Sequence, residues 1–134
     1  MTMEMFTVAK RFTFSASHML DQLLPSHKCR RLHGHTYNCL VRVDATKLDG
    51  NGMVMDFACF APLIEAVRLE FDHRHLNDVM DEYPTAENIA KVICEMAEQT
   101  LIIPGELYTI TIQVSEQPET YAEYSRTIHR NKNE

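Results

Sequence analysis

The run His33-Gly34-His35-Thr36-Tyr37-Asn38-Cys39-Leu40-Val41-Arg42-Val43-Asp44-Ala45-Thr46 alternates, with Tyr37, Cys39, Val41, Val43 and Ala45 sharing one face. A period of two is the signature of a strand with one buried face. Upstream, Phe6 to Ala16 alternates in the same way: Phe6, Val8, Phe12, Phe14 and Ala16 on one side, Thr7, Arg11, Thr13 and Ser15 on the other. Downstream, Asp49-Gly50-Asn51-Gly52 is turn chemistry, followed by a short extended piece, Met53 to Asp56. The period then lengthens. Phe60, Leu63, Ile64, Val67 and Phe71 recur at helical spacing, with Pro62 near the first turn, where its missing N–H costs nothing. A second helix starts at Pro84-Thr85, with Thr85 as N-cap, and its apolar stripe is Ile89, Val92, Ile93, Met96 and Leu101; Pro104-Gly105 is its expected stop. Two further strands follow, Leu107 to Glu116 with Tyr108, Ile110, Ile112 and Val114 inward, and Tyr121 to His129 after Gln117-Pro118.

The predicted order is β-β-α-α-β-β. Strands adjacent in sequence usually pair, so the expected fold is α+β: an antiparallel four-stranded sheet with two helices on one face. Such a sheet has two open edges, and oligomerisation that pairs them is the expected remedy.

The chain of 134 residues is the size of one domain, and 45% hydrophobic with 24% charged residues is ordinary globular composition. No apolar run approaches the roughly 18 residues needed to span a bilayer, so no membrane association is expected. Met1 to Ala9 lacks the features of a secretory signal. Cys29, Cys39, Cys59 and Cys94 form no C-x-x-C pair and no disulfide framework, which fits a reduced, cytoplasmic setting. A net charge of −6 argues against a nucleic-acid binder. The charge is uneven, however: the first 42 residues hold Lys10, Arg11, Lys28, Arg30, Arg31 and Arg42 against only Glu4 and Asp21. Such a cluster is either a solvated face or a local anion pocket.

The period of two puts His33 and His35 on the side of Tyr37 and Cys39, and His18 shares the parity of Phe12, Phe14 and Ala16. If the first two strands pair antiparallel, the three imidazoles converge at one end of the sheet. Three neutral nitrogens at about 2.0–2.1 Å suit zinc and leave a fourth position open, the catalytic pattern. The plain alternative is three hydrogen-bonded histidines near the surface. Cys29 lies four residues before His33, beside Lys28, Arg30 and Arg31. Positive neighbours favour the thiolate, so it reads as reactive, whereas Cys39, Cys59 and Cys94 read as core residues. Asp72-His73 is either a solvated turn or a polarised proton-relay pair. His27, His75 and His129 read as surface residues. Glu116 falls on the apolar parity of its strand. An inward carboxylate is costly without a cation or a donor-rich ligand, and it would suit two parallel N–H donors on a heterocycle.

Taken together, Phe14-x-Ala16-x-His18, Cys29-x-x-x-His33-Gly34-His35, Asp56-Phe57, Asp72-His73…Leu76-Asn77, Pro84-Thr85-x-Glu87-Asn88 and Glu116 occur in an order that resembles the 6-pyruvoyltetrahydropterin and 6-carboxytetrahydropterin synthase family over nearly the whole chain. The resemblance implies a single tunnelling-fold domain over residues 1–134, with sheets of several subunits joined edge to edge into a barrel. It implies trimers stacked as a homo-hexamer with active sites at subunit interfaces. It further implies zinc on His18, His33 and His35, Cys29 as catalytic cysteine, Asp72 and His73 as its relay partners, and Glu116 as pterin anchor, with Thr85 and Glu87 near the pterin pocket. Glu119, followed by Thr120, competes with Glu116 for the anchor role, and parity favours Glu116. The short Cys29–His33 interval, preceded by His27-Lys28, resembles the bacterial carboxy-forming branch of queuosine biosynthesis. Its implied reaction converts 7,8-dihydroneopterin triphosphate to 6-carboxy-5,6,7,8-tetrahydropterin with loss of acetaldehyde and triphosphate, and Lys28, Arg30 and Arg31 would receive the triphosphate. The rivals are a pyruvoyl-forming synthase on the same scaffold and a non-enzymatic oligomer binding zinc or a heterocycle. A zinc hydrolase lacks an obvious carboxylate placed as general base.

Overall fold

The computed structural model describes residues 1–131. In chain order its elements are β1 (Phe6–His18), β2 (His33–Ala45), α1 (Ala61–Phe71), β3 (Arg74–His75), α2 (Leu76–Val79), α3 (Ala86–Thr100), β4 (Leu107–Gln117) and β5 (Thr120–His129), with 3-10 turns at Lys28–Arg30 and Phe57–Phe60. The sheet runs β3-β1-β2-β4-β5. Both long hairpins and the β2–β4 pairing are antiparallel, as alternation implied. The alternating rows become the core. Phe12, Phe14, Ala16, Tyr37, Cys39, Val41 and Val43 are buried from the first hairpin, and Ile110, Ile112 and Val114 from β4. Phe14 stacks on Tyr37 at 4.9 Å between ring centroids and meets Phe71 of α1 at 5.7 Å. α3 buries Ile89, Ala90, Ile93, Cys94 and Ala97 over β4 and β5, so both long helices cover one face of the sheet.

The architecture is α+β, but the sheet is five-stranded and mixed rather than four-stranded and antiparallel. The added strand is β3, which lies parallel to β1 with Ala16 opposite Arg74 and Ser17 opposite His75. Its cause is local. After α1, the Asp72 carboxylate accepts the Ser15 N–H at 2.9 Å, and the His73 N–H donates to the Ser15 carbonyl at 2.6 Å. His73 takes φ 59°, a left-handed conformation that a non-glycine residue adopts only under such constraint. The chain is thereby turned alongside β1 for two residues, too few to leave an alternating pattern. The single-turn helix α2 is likewise too short for periodicity to reveal.

α3 ends at Thr100 rather than at Pro104-Gly105. Leu101 turns extended, and Leu101 and Ile103 continue into the core as buried residues. Its start is as expected: Thr85 Oγ1 accepts the Asn88 N–H at 3.2 Å. Cys39 and Cys94 are buried, and burial pushes their thiols up to about 12 and about 11. Cys59 is only partly buried. Among the described residues no helix is long and apolar enough to cross a membrane.

Candidate active site

The β1–β2 ladder runs unbroken from Phe6 opposite Ala45 to His18 opposite His33. It therefore delivers His18, His33 and His35 to one end of the sheet on the helix-covered face. One ring nitrogen from each of the three lies within 4.8 Å of the others. His18 is fully buried. Its Nδ1–H donates to the Pro84 carbonyl at 2.8 Å, and the His33 Nδ1–H donates to the Arg31 carbonyl at 2.7 Å. A carbonyl only accepts, so both rings carry their proton on Nδ1 and turn the Nε2 lone pair inward. Those two Nε2 atoms face each other at 2.9 Å. The third, His35 Nε2, is buried without a hydrogen-bond partner, with the nearest Glu116 oxygen at 3.5 Å. Converging lone pairs and an orphaned buried nitrogen fit a divalent cation better than they fit a self-satisfied cluster. Burial pushes His18 and His35 below the ordinary imidazole value, against the pull of the Glu116 carboxylate in the other direction. That keeps these rings in the neutral form that binds metal. Behind them Tyr37 is buried, its phenol held protonated by desolvation, with its oxygen 3.2 Å from His18 Nδ1.

Glu116 is the hinge between this cluster and an adjoining cavity of about 590 Å³. The cavity is walled by the β1–β2 loop (Leu20, Leu23, His27), the start of α3 (Thr85, Ala86, Glu87) and the β4–β5 hairpin around Glu116 and Tyr121. Three of the residues singled out from sequence, Glu116, Thr85 and Glu87, thus line one space next to the histidines. Glu119 is exposed on the hairpin turn and does not line it, in keeping with the parity argument.

Cys29 is half-buried in the 3-10 turn Lys28–Arg30, where its N–H donates to His27 Nδ1 at 3.1 Å and its carbonyl accepts the Leu20 N–H at 2.9 Å. Arg30 is committed to this loop: Nη1 donates to the Asp21 and Leu23 carbonyls at 2.6 and 2.8 Å. Lys28 and Arg31 remain exposed.

Asp72 and His73 are paired, His73 Nδ1–H donating to the Asp72 carboxylate at 2.9 Å. The Ser15 amide and His73 hold that carboxyl below its usual range. With Nδ1–H held by Asp72, the neutral form of this largely exposed ring presents Nε2 as an acceptor. His73 lines a separate shallow depression with Ser15, Ser17, His35, Thr36 and His75, and none of the residues lining the Glu116 cavity borders it. One chain therefore brings the histidine triad and the cavity together, but leaves the Asp72–His73 pair outside that cavity, in a depression that His35 also borders.

Two histidines assigned to the surface hold structural positions. His27 caps the Cys29 turn, and His75 Nδ1 bonds Ser17 Oγ at 2.9 Å. Asn77 clamps the residue after His18, accepting the Met19 N–H and donating to the Met19 carbonyl, both at 2.8 Å. His75 stands two residues after His73 and His27 two before Cys29, but both lie outside the two long alternating strands, so parity assigns them no face.

Comparison with known proteins gives the family and the fold. The family model described as 6-pyruvoyl tetrahydropterin synthase matches residues 7–127. A 6-carboxy-5,6,7,8-tetrahydropterin synthase of Synechocystis sp. is 43% identical over 109 residues, covering 75% of this chain and 81% of the relative. A dihydroneopterin monophosphate aldolase of Pyrococcus furiosus is 37% identical over 97 residues, covering 72% and 77%. Among solved structures, the Caenorhabditis elegans 6-pyruvoyl tetrahydropterin synthase superposes with a TM-score of 0.76 at 27% identity, covering 92% of this chain and 97% of that one. With fold, site and sequence in accord, the chain belongs to the 6-pyruvoyl tetrahydropterin synthase family.

Proposed function

We propose that this chain is a zinc-dependent lyase that converts 7,8-dihydroneopterin triphosphate and one water to 6-carboxy-5,6,7,8-tetrahydropterin, with release of acetaldehyde and triphosphate, in the queuosine route. The observation that carries the reading is the orphaned His35 Nε2, buried among three converging imidazoles and 3.5 Å from a carboxylate that opens onto a cavity. Membership in a family of pterin-processing enzymes and the Synechocystis relative support the carboxy-forming branch.

His18, His33 and His35 would hold the zinc, which when bound supplies Lewis-acid polarisation of the substrate's side-chain hydroxyls. Glu116, with Thr85 and Glu87 on the opposite wall, would hold the heterocycle, its carboxylate accepting two adjacent N–H donors. Cys29 as thiolate removes a proton from the side-chain carbon, and His73, with Nδ1–H fixed on Asp72, accepts and returns protons at Nε2. Because His73 lies apart from the cavity within one chain, this chemistry calls for a second copy. We place it in a homo-hexamer formed by edge-to-edge sheet pairing, in the cytoplasm, where the four thiols stay reduced.

The test is incubation of the zinc-loaded protein with 7,8-dihydroneopterin triphosphate and mass analysis of the products. Acetaldehyde and a 6-carboxypterin in equal amounts are expected. A pyruvoyl product without acetaldehyde would assign the sister activity, and an unchanged substrate would overturn the enzymatic reading.

A further inference from the structure

The loop between β1 and β2 presents one side chain to both halves of the site. Its path is fixed by the Arg30 bonds to the Asp21 and Leu23 carbonyls and by the Leu20–Cys29 bond, so His27 stands in a defined place. His27 Nδ1 accepts the Cys29 N–H at 3.1 Å. A backbone N–H only donates, so the neutral ring carries its proton on Nε2, the nitrogen away from the turn. His27 also lines the cavity that Glu116 lines, and it is the only residue with a side-chain nitrogen among the described lining residues. The other polar lining residues are Glu87 and Glu116 with carboxylates and Thr85, Thr120 and Tyr121 with hydroxyls, while the Glu123 carboxylate accepts from Gln113 Nε2 at 3.1 Å. Of these, Thr85 already caps α3.

The carboxylates of Glu87 and Glu116 answer the donors of a heterocycle, and its acceptors are left to the hydroxyls and to His27, the one ring N–H among the described lining residues. A pterin has both on one side: an amine and a ring N–H, with a ring carbonyl immediately beside them. An unpaired buried carbonyl costs affinity. Resting on the pterin reading of the cavity, we propose that His27 orients the substrate, its Nε2–H donating to the ring carbonyl beside the N–H edge that Glu116 holds, while its Nδ1 sets the turn that presents Cys29. One imidazole then ties the register of the ring to the placement of the thiol.

Two substitutions separate the two duties. In His27→Asn the short amide oxygen keeps the cap, a favoured N-cap group, but the far donor is gone. In His27→Gln the longer amide restores a donor near the Nε2 position and forfeits the short cap. The measurements are binding of neopterin, an unreactive oxidised pterin, by fluorescence quenching; KM and kcat with dihydroneopterin triphosphate; and the rate of iodoacetamide labelling of Cys29 followed by mass spectrometry. All are made on full-chain protein with zinc content matched to wild type. For His27→Asn the neopterin Kd and the KM should rise roughly 3- to 10-fold, the worth of one neutral hydrogen bond, with Cys29 labelling within about twofold of wild type. For His27→Gln the Kd should stay within about threefold while the labelling rate shifts. An unchanged Kd in His27→Asn, with binding lost in Glu116→Gln, overturns the role of His27 and leaves the pterin reading standing. A change in labelling and kcat alone, with Kd and KM unmoved in both variants, reduces His27 to a turn cap and also overturns it. Failure of the wild-type protein to bind neopterin at all removes the pterin reading, and this inference with it. If His27→Asn does not fold, the Kd of His27→Gln decides: a rise of tenfold or more there overturns the assignment.

Discussion

At the residue scale, the site works by fixing protons before any ligand arrives. The Pro84 and Arg31 carbonyls choose the tautomers of His18 and His33, and the Asp72 carboxylate chooses that of His73. His33→Ala should therefore abolish stoichiometric zinc binding, measured by atomic emission on dialysed protein; full retention would remove His33 from the ligand set. Cys29→Ala should keep its zinc and lose turnover by about 10²–10⁴-fold, the range for a lost proton-transfer group. Asp72 carries a pH signature. Its folded carboxyl titrates below the unfolded value of about 3.9, so its stabilising effect is complete above that value and fades as pH falls through the lower folded one. Acid unfolding followed by circular dichroism should show this component in wild type and lack it in Asp72→Asn; superimposable curves would deny it. The convergence of the three histidines and the inward place of Glu116 were legible from parity and an antiparallel first hairpin, because a strand's two-residue period is rigid. His27 and Asn77 were not, because each acts on backbone in a loop or a short turn, where neighbours in space are not at any fixed spacing in sequence.

At the element scale, the long strands and α1 announced themselves because each buries one face over many residues. β3 did not, because two residues held by the Ser15 amide and carbonyl need no apolar pattern. The stop of α3 was misplaced because Leu101 and Ile103 stay apolar and buried after the helix ends, so composition does not change at the boundary. Phe71 ends α1 beneath the Phe14 ring with 1% of its surface exposed. Phe71→Ala should cost about 3–5 kcal/mol in urea unfolding, as large-to-small core changes do, and a loss below about 1 kcal/mol would mean that the α1–sheet contact is not structural. Thr85→Ala removes the α3 cap and should cost about 1 kcal/mol, whereas Thr85→Ser should be nearly neutral.

At the scale of the whole molecule, the sheet ends in open edges. Among the described residues β5 has a partner on one side only, and β3 covers β1 at Ala16 and Ser17 alone. Pairing these edges between copies satisfies the backbone groups and can carry the Asp72–His73 pair of one chain toward the cavity of another. Sedimentation velocity on the zinc-loaded protein should report six copies of the 15.5 kDa chain; a monomer at micromolar concentration would contradict the shared-site reading.

The thirteen consecutive pairs from Phe6–Ala45 to His18–His33 also behave as a reading frame. Deleting a single residue in the middle of β1, such as Thr13, would force a choice between rotating the apolar row before it, Phe12 included, out of the interior and swinging Phe14, Ala16 and His18 to the opposite side. Length changes here should be tolerated only in twos, while the intervening segment 19–32 can absorb odd ones upstream of His27. Drift in the length of this protein is thus confined by a constraint that no individual side chain imposes.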